Sequence, residues 1–411
     1  MKIAILGAGG REHALAWKLS QGATARQVLC LPGNGGTAPN LAVEPEDLDA
    51  VARICRTEAV DLLVVGPEAP LAAGIADRLG IAGLRVLGPG AAGARLESSK
   101  AWAKAFMARH GVATAAFRTF DGPSAARAAL LPGPQVVKYD GLAAGKGVFV
   151  CGGPAEASAA LEQIEATWGP AAPVVLEERL VGSEISIMGF TDGQTLRLLL
   201  PSQDHKQLLD GDRGPNTGGM GAFCPVPAFG PAHLAAVQQA VVEPTLRGLA
   251  AEGIPYRGAL YFGLMMTRDG PRLLEYNVRL GDPEAEVLLP ALRTDLLEVL
   301  EACVAGRLRE VALEFHPGFF VDVVLCAPGY PGRYPRGLPI TGVEDAAALV
   351  FHAGTRREGE RLLTSGGRVL NVVGHGPDLE AAIARAYGAA GRIAFEGKTM
   401  RRDIGRREWR A

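Results

Sequence analysis

Residues 138–148, with the sequence KYDGLAAGKGV, place small residues and two lysines between two apolar segments. They do not form a Walker A motif, because Asp140 stands where its first glycine belongs, Gly147 replaces the serine or threonine, and a strand follows where a helix is required. A strand, a glycine loop and a second strand instead predict a hairpin lid, whose N–H groups and Lys146 can close over nucleotide phosphates. The alternative is an ordinary flexible hairpin, which needs neither the small residues nor both lysines.

The densest polar run of the chain lies at residues 274–284, LEYNVRLGDPE. Glu275, Asn277 and Arg279 alternate within it, so on a strand all three side chains would share one face. A carboxylate and an amide oxygen are hard ligands that suit Mg²⁺, and an arginine can neutralise a phosphoryl group in transfer. The alternative is a solvated edge strand, which the apolar residues before the run and the glycine and proline after it disfavour.

The first hundred residues alternate short apolar runs with helical patterns, which predicts a doubly wound parallel sheet. The predicted strands are 3–6, 28–31, 62–65 and 85–87, and the predicted helices are 12–19, 48–55 and 71–79. A sheet of this kind binds its ligand where the strand ends converge, here at residues 7–13 and 66–70.

Residues 7–13, GAGGREH, resemble a dinucleotide fingerprint but depart from it. Glu12 occupies the third glycine position, and residues 31–34 offer no acidic side chain for a ribose diol. The start of a helix beside Arg11 suits a single phosphate better. A tight strand-to-helix turn would explain the glycines but not Arg11 and His13 together.

Beyond residue 98 the pattern changes to α+β. A helix capped by Ser98 or Ser99 and ended by Gly111 is followed by predicted strands and a long helical stretch. These strands are 135–138, 147–150, 174–177, 184–190, 196–200, 259–266 and 273–276, and the helical stretch is 235–252. Residues 202–206 and 214–221 predict a long polar loop of the kind that carries binding residues. Strands at 319–326, 349–352 and 369–373 with a helix at 379–391 predict a small C-terminal domain.

Composition excludes several classes of protein. The 411 residues predict two to four domains, and 42 basic against 44 acidic side chains give no electrostatic signal for nucleic acid or a membrane surface. The 6 cysteines form no C-x-x-C pair, which excludes a zinc or redox motif of that type and suits a reducing compartment. No apolar stretch reaches membrane-spanning length and no signal peptide is evident, so we expect a cytoplasmic protein.

Three features together resemble the ATP-grasp carboxylate–amine ligases: the glycine hairpin, the Glu-x-Asn-x-Arg strand, and residues 175–180, VLEERL, with Glu184 four residues further on. Within that superfamily, several blocks in order resemble the phosphoribosylamine–glycine ligase family, namely 7–13, 33–37, 66–71, 202–206, 214–221, 277–284 and 401–405.

The resemblance implies a multidomain α/β and α+β architecture. We expect a Rossmann-like substrate-binding domain at 1–97, an ATP-grasp domain at 98–318 with a lid at about 115–190, and a C-terminal domain at 319–411. The family ligates glycine to 5-phosphoribosylamine in purine biosynthesis, using ATP and Mg²⁺ or Mn²⁺ and forming glycyl phosphate. The expected partners are these small molecules alone, with no nucleic acid or membrane, and the chain is expected to act as a monomer.

The resemblance also implies roles for individual residues. ATP would be bound by Lys100, Lys138, Gly145, Gly147, Glu177, Glu178, Leu180 and Glu184. Glu275 and Asn277 would hold the metal, while Arg279, Asp282 and Lys146 would be catalytic, with Arg279 on the transferring phosphate and Asp282 near glycine or the amine. Phosphoribosylamine would lie against Gly9, Gly10, Arg11, Glu12, His13, Gly66, Pro67, Glu68, Asp204, His205 and Lys206.

One departure and two alternatives stay open. Many ATP-grasp enzymes carry another metal carboxylate upstream of the Glu-x-Asn pair, where this chain has residues 261–263, YFG, so Glu286 or water is the candidate third ligand. A different purine-pathway ATP-grasp ligase would use another acceptor, such as bicarbonate. A non-catalytic nucleotide-binding regulator would bind ATP without turning it over.

Overall fold

The computed structural model describes residues 1–22, 26–143 and 146–406. Its N-terminal unit is a parallel four-stranded sheet of order β2-β1-β3-β4, which confirms the predicted doubly wound sheet. Its elements are β1 (Lys2–Gly7), α1 (Gly10–Ser20), β2 (Gln27–Pro32), α2 (Leu48–Thr57), β3 (Leu62–Val65), α3 (Glu68–Ala72), α4 (Ile75–Ile81), β4 (Arg85–Leu87) and α5 (Ala91–Ser98). The single helix predicted at 71–79 is two short helices, because Gly74 adopts a left-handed conformation (φ 82°) that interrupts the helical path.

A lid unit follows the first helix of the middle region. Ser99 caps that helix by accepting a hydrogen bond from Trp102 N at 3.1 Å, and Gly111 ends it in the left-handed region, as predicted. The lid is an antiparallel sheet of order β5-β8-β6-β7. The elements are α6 (Lys100–His110), β5 (Phe117–Phe120), α7 (Pro123–Arg127), β6 (Gln135–Tyr139), β7 (Val148–Cys151), α8 (Pro154–Trp168) and β8 (Val174–Glu178).

The second half of the middle region contains an antiparallel sheet of order β10-β9-β15-β16. The predicted polar loop between its strands is wrong in part, since residues 203–224 form four short strands. The elements are β9 (Ser183–Thr191), β10 (Leu196–Leu198), β11 (Gln203–Asp204), β12 (Gln207–Leu209), β13 (Arg213–Asn216), β14 (Gly221–Cys224), α9 (Pro231–Val237), α10 (Glu243–Ala251), β15 (Gly258–Thr267), β16 (Gly270–Asn277), α11 (Ala285–Ala291) and α12 (Leu296–Ala305).

The helical stretch predicted at 235–252 is broken by one π-helical turn at Gln238–Val242. Pro244 has no N–H group to donate back along the helix. The carbonyl of Ala240 accepts a hydrogen bond from Ala113 N at 3.0 Å instead. This bond attaches the helix to the segment that leads into the lid.

The last sheet joins the C-terminal region to the middle of the chain. Its order is β11-β14-β17-β21-β18, so residues 203–224 supply two of its five strands. The elements are β17 (Phe319–Cys326), β18 (Leu349–His352), β19 (Thr355–Glu358), β20 (Arg361–Thr364), β21 (Arg368–Gly376) and α13 (Leu379–Arg392). The sheet therefore crosses the domain boundary expected at residues 318 and 319. No helix within the described ranges is both long and apolar enough to cross a membrane.

Candidate active site

A bulge in β16 sets the direction of the predicted metal ligands. The register pairs Gly263 with Glu275 and Leu264 with Leu273, so Leu274 is an extra residue on its strand. Leu273 and Tyr276 are buried, and the bulge places Glu275 and Asn277 together on the more open face. The strand ends at Asn277, so the prediction that Arg279 continues the same strand face is wrong.

The backbone carbonyl of the bulged residue, Leu274, contacts a lysine of the lid. Lys138 Nζ donates to the carbonyl oxygen of Leu274 at 3.1 Å and lies 2.8 Å from Glu177 Oε1. Lys100 Nζ donates to the carbonyl oxygen of Gly141 at 2.9 Å. Three of the side chains predicted to bind ATP therefore meet between the lid sheet and β16.

Lys104, which the sequence analysis did not single out, completes this group. Its Nζ lies 2.9 Å from Glu177 Oε2 and donates to Thr114 Oγ1 at 2.7 Å. Burial, reinforced by the charge of Lys138, lowers the pKa of Lys104 to about 8. Burial opposes the charge of Glu177, but the two ammonium groups outweigh it and hold the pKa of Glu177 below its ordinary value. The spacing of four residues from Lys100 on α6 was the available signal.

Lys206, predicted to bind substrate, lies beside Glu184, predicted to bind ATP, and Glu275, predicted to bind the metal. Its Nζ lies 3.2 Å from Glu184 Oε2 and 4.0 Å from Glu275 Oε1. Burial opposes the charge of Lys206, but the carboxylates, Glu184 foremost, raise its pKa well above the usual value. The predicted ATP, substrate and metal sites are therefore contiguous at this point.

Glu275 and Asn277 fit a magnesium or manganese ion that is bound together with a nucleotide. They supply two hard oxygen donors, and the side chain of Glu275 remains 34% exposed. Gly263, directly opposite Glu275, offers no third side chain. Among the described residues no group of three or more His, Cys, Asp or Glu side chains is arranged to hold a metal. Phosphate oxygens and water would therefore have to complete the coordination.

Glu286 does not complete this donor set. It is fully buried in α11, and a side chain at Gly10 would overlap both Glu286 and Asn371. The charges of Asp282, Asp322 and Arg368 act on it, and burial together with the two carboxylates raises the pKa of Glu286 well above its ordinary value.

Arg279 lies between two carboxylates of the N-terminal unit. Its Nη2 is 2.9 Å from Glu97 Oε1 and its Nε is 3.4 Å from Glu68 Oε2. Burial raises the pKa of Glu97 to about 6, against the opposing effect of Arg279. Glu97 had no sequence signal of its own, because it stands in an ordinary helical pattern.

Asp282 borders a cleft between the N-terminal unit and the C-terminal sheet. Its Oδ1 lies 3.1 Å from Nη1 of Arg368, which also donates to the carbonyl oxygens of Asp282 and Gly218. The cleft has a volume of about 290 Å³, and its wall includes Gly9 and Asn34. Burial opposes the charge of Asp282, but Arg368 and other nearby arginines keep its pKa below the ordinary value.

Glu12 organises the glycine turn beside this cleft. Its Oε2 accepts a hydrogen bond from Gly9 N at 2.6 Å, and its Oε1 lies 2.6 Å from Nε of Arg11. A side chain at Gly66 would overlap Glu12, which explains the glycine there. Arg11 Nη1 donates to the carbonyl oxygen of Leu280 at 3.2 Å. Arg11 and Glu12 thus form a buried pair, and their direct contact with substrate stays a prediction.

The two predicted substrate histidines are also largely enclosed. His13 Nδ1 accepts a hydrogen bond from His352 N at 2.8 Å, and burial lowers the pKa of His13 to about 4. His205 is fully buried beside Phe223, and Asp204 is buried next to it in β11. Their substrate contacts also stay predictions.

The remaining predicted residues frame the lid and the switch point of the first sheet. Gly147 O accepts a hydrogen bond from Tyr139 N at 2.8 Å, which closes the predicted hairpin, whereas Gly145 lies outside the described residues. Lys146 borders a second cleft of about 900 Å³ with Asn216 and Tyr330. The others occupy defined places: Glu178 accepts from Ala116 N at 2.8 Å, Leu180 follows the end of β8, Pro67 precedes α3, and Gly10 and Glu68 begin α1 and α3.

A hairpin lid facing a strand with Glu-x-Asn ligands across a lysine-lined gap defines an ATP-grasp enzyme, an ATP-dependent carboxylate–amine ligase. Family models for the N domain, the ATP-grasp (A) domain and the C domain of phosphoribosylglycinamide synthetase match residues 1–97, 98–285 and 320–407. The chain belongs to the phosphoribosylglycinamide synthetase family.

Similar proteins cover the whole chain. Phosphoribosylamine--glycine ligase of Synechocystis sp. is 47% identical over 98% of this chain and 99% of its own length. The trifunctional purine biosynthetic protein adenosine-3 of Gallus gallus is 47% identical over 99% of this chain, which spans 42% of that longer protein.

Solved structures of other proteins share the fold of this chain. Phosphoribosylamine--glycine ligase of Thermotoga maritima is similar with a TM-score of 0.84 and 37% identity, covering 98% of this chain and all of that one. Biotin carboxylase of Campylobacter jejuni has a TM-score of 0.69 over 97% of this chain and 92% of its own, but at 14% identity it shows the fold alone.

Proposed function

We propose that the chain joins glycine to 5-phosphoribosylamine with the cleavage of ATP to ADP and phosphate, giving glycinamide ribonucleotide for purine synthesis. The full-length relatives that carry the name of this ligase support the assignment. The observation that carries it is the position of Asp282. Asp282 stands five residues after Asn277, just beyond the strand that carries the proposed metal ligands. It borders the cleft that we assign to the second substrate.

The first step forms an acyl phosphate. A carboxylate oxygen of glycine attacks the γ-phosphorus of ATP, and the bond to the ADP oxygen breaks. Lys138 and Lys100 hold the phosphates and Arg279 offsets the charge of the transferring group, since this chemistry depends on positioning and charge neutralisation. Glu275 and Asn277 would hold Mg²⁺ or Mn²⁺, which neutralises phosphate charge when bound. Lys146 and Gly147 of the lid would cover the phosphates and exclude water.

The second step forms the amide bond. The amine nitrogen of phosphoribosylamine attacks the acyl carbon, and the carbon–oxygen bond to phosphate breaks. Arg368 keeps Asp282 ionised, so its carboxylate can accept the proton that the amine loses. The start of helix α1 at Gly9 and Gly10 would receive the 5′-phosphate, because helix N-termini favour anions.

A single assay tests the assignment. Purified protein with Mg·ATP, glycine and freshly generated phosphoribosylamine should release phosphate and form glycinamide ribonucleotide in equal amounts. Bicarbonate in place of glycine should support no turnover. A rate of ATP turnover that did not depend on glycine would contradict the proposal. It would favour an ATP-grasp ligase that uses a different acceptor.

Arg11→Ala tests the position of the sugar phosphate. If Arg11 and the start of α1 share the 5′-phosphate, the KM for phosphoribosylamine should rise by about tenfold or more, with little change in the KM for ATP. Equal effects on both constants would show that Arg11 only joins α1 to Leu280.

The cysteines bear on the compartment in which the protein works. All 6 cysteines lie in described residues and are buried and free, which suits a reducing compartment, and we place the reaction in the cytoplasm. We also propose that the chain works as a monomer on small molecules, without nucleic acid or membrane.

A further inference from the structure

Lys104 connects the lid to the strand that carries the proposed metal ligands. Its Nζ lies 2.9 Å from Glu177 Oε2 in the lid and donates to Thr114 Oγ1 at 2.7 Å. Thr114 Oγ1 in turn donates to the carbonyl oxygen of Leu273 in β16 at 2.6 Å. The side chains of Lys104 and Glu177 are each 2% exposed, and burying such charges is costly unless each has partners. The arrangement is therefore a specific one.

Glu177 divides its two oxygens between two lysines. Oε2 faces Lys104, while Oε1 lies 2.8 Å from Nζ of Lys138, which also donates to the carbonyl oxygen of Leu274. Two ammonium groups against one carboxylate leave a net positive charge at a buried site. Such a site favours a polyphosphate anion placed beside Lys138.

We propose that Lys104 is a positioning residue for nucleotide binding, which acts on Lys138 through Glu177. Lys104 fixes one carboxylate oxygen and so prevents Glu177 from pairing with Lys138 through both. The ammonium of Lys138 then remains available to a nucleoside polyphosphate. Without Lys104, the carboxylate is free to turn fully toward Lys138 and neutralise it. This inference rests on the proposed ATP site but is independent of which acceptor is ligated.

The first test measures the binding of Mg·ADP to the full chain by titration calorimetry, without glycine or phosphoribosylamine. Lys104→Met should weaken binding by about tenfold, because Met fills a similar volume without the charge. The matched control is Lys18→Met, which removes another buried lysine, one that donates to the carbonyl oxygen of Leu292. That control should lower the melting temperature but leave the Kd unchanged. An unchanged Kd in folded Lys104→Met would overturn the proposal.

The second test asks whether the effect passes through Glu177. In a Glu177→Gln background, adding Lys104→Met should change the Kd by less than about twofold, because the residue it acts through is already altered. Full additivity of the two substitutions would overturn the proposal and show that Lys104 acts directly on the nucleotide or on stability.

A milder variant covers the case in which Lys104→Met does not fold. Thr114→Val keeps the shape of the side chain and removes one partner of Lys104, so it should weaken binding by about threefold, and no change would count against the proposal. A wild-type chain that bound Mg·ADP but made no glycinamide ribonucleotide would contradict the proposed function alone.

Discussion

Glu97 holds Arg279 in place at the junction between the N-terminal unit and β16. Its Oε1 lies 2.9 Å from Arg279 Nη2, and its Oε2 accepts a hydrogen bond from Val278 N at 2.7 Å. One carboxylate thus fixes both the guanidinium and the backbone that precedes it. Since the reaction depends on where positive charge meets the transferring phosphate, this contact is expected to affect the chemical step more than binding.

Glu97→Gln tests that expectation. The amide keeps the length of the side chain but removes the charge, so kcat should fall by about 10- to 100-fold with little change in the KM for ATP. Wild-type kcat should also fall as the pH drops through about 6, because protonation of Glu97, whose pKa burial raises to about 6, removes the same charge. Steady-state kinetics between pH 5 and 8, taken as roughly the stable range, would show both effects.

The matched control is Glu301→Gln, since Glu301 pairs with Arg85 at the surface, at 3.2 Å, and should leave kcat unaltered. If Glu97→Gln kept the wild-type kcat and the same acid limb, Arg279 would not depend on Glu97.

The metal assignment predicts a change in cation requirement. Glu275→Gln should raise the Mg²⁺ concentration for half-maximal activity by about tenfold or more, and Asn277→Ala should raise it to a smaller extent, because each loses an oxygen ligand. The fold should survive, since both side chains lie on the more open face of an edge strand. Activity titrated against Mg²⁺ at saturating ATP gives the result, and wild-type behaviour at low Mg²⁺ would refute the assignment.

Two buried carboxyl groups predict an unusual dependence of stability on pH. Glu286 and Asp322 are fully buried, and burial, reinforced by the charge of Asp282, raises the pKa of each well above its ordinary value. The native state therefore binds protons more readily than the unfolded chain, so wild-type stability should decline as the pH rises above the unfolded value of about 4.

Glu286→Gln removes that penalty for one group. We expect the melting temperature to rise by about 1–4 °C at pH 8, with a smaller gain at pH 5, where the wild-type carboxyl is already protonated. Asp322→Asn should behave alike, and calorimetry at the two pH values provides the comparison. An equal loss of stability at both pH values would mean that these carboxylates have stabilising partners.

Much of the fold could be predicted because its strands are continuous apolar runs. Residues 3–6, for example, are fully buried in a parallel sheet, where the sequence shows no alternation to misread. By contrast, β5 alternates poorly, with exposed Arg118 and Thr119 at its centre, and was missed. Strands β11 and β14 are short and pair with each other, and β14 pairs with β17 far along the chain, which a local pattern does not reveal.

Some residues of the candidate site could be predicted from the sequence and others could not. Glu275 and Asn277 lie in one compact motif, so local spacing was enough to predict them as metal ligands. Lys104, Glu97 and Arg368 contact charged partners that are distant in sequence, and only Lys104, four residues after Lys100, carries a local signal. The bulge at Leu274 is likewise a property of the pairing with β15, which the sequence of the strand alone does not show.

The last prediction concerns the lid. A side chain at Gly147 would come within 2.9 Å of the Ala143 Cβ and 3.3 Å of the Tyr139 Cβ, so Gly147→Val should disturb the hairpin without touching the cores of the other sheets. If closure protects the acyl phosphate from water, this variant should hydrolyse ATP faster than it forms product. Phosphate release and glycinamide ribonucleotide measured in one reaction give the ratio, which should rise from about one to well above it. Gly153→Val, at a position with open space before α8, is the control and should keep the ratio near one. A Gly147→Val enzyme with unchanged rate and a ratio of one would show that the hairpin has no part in protecting the intermediate.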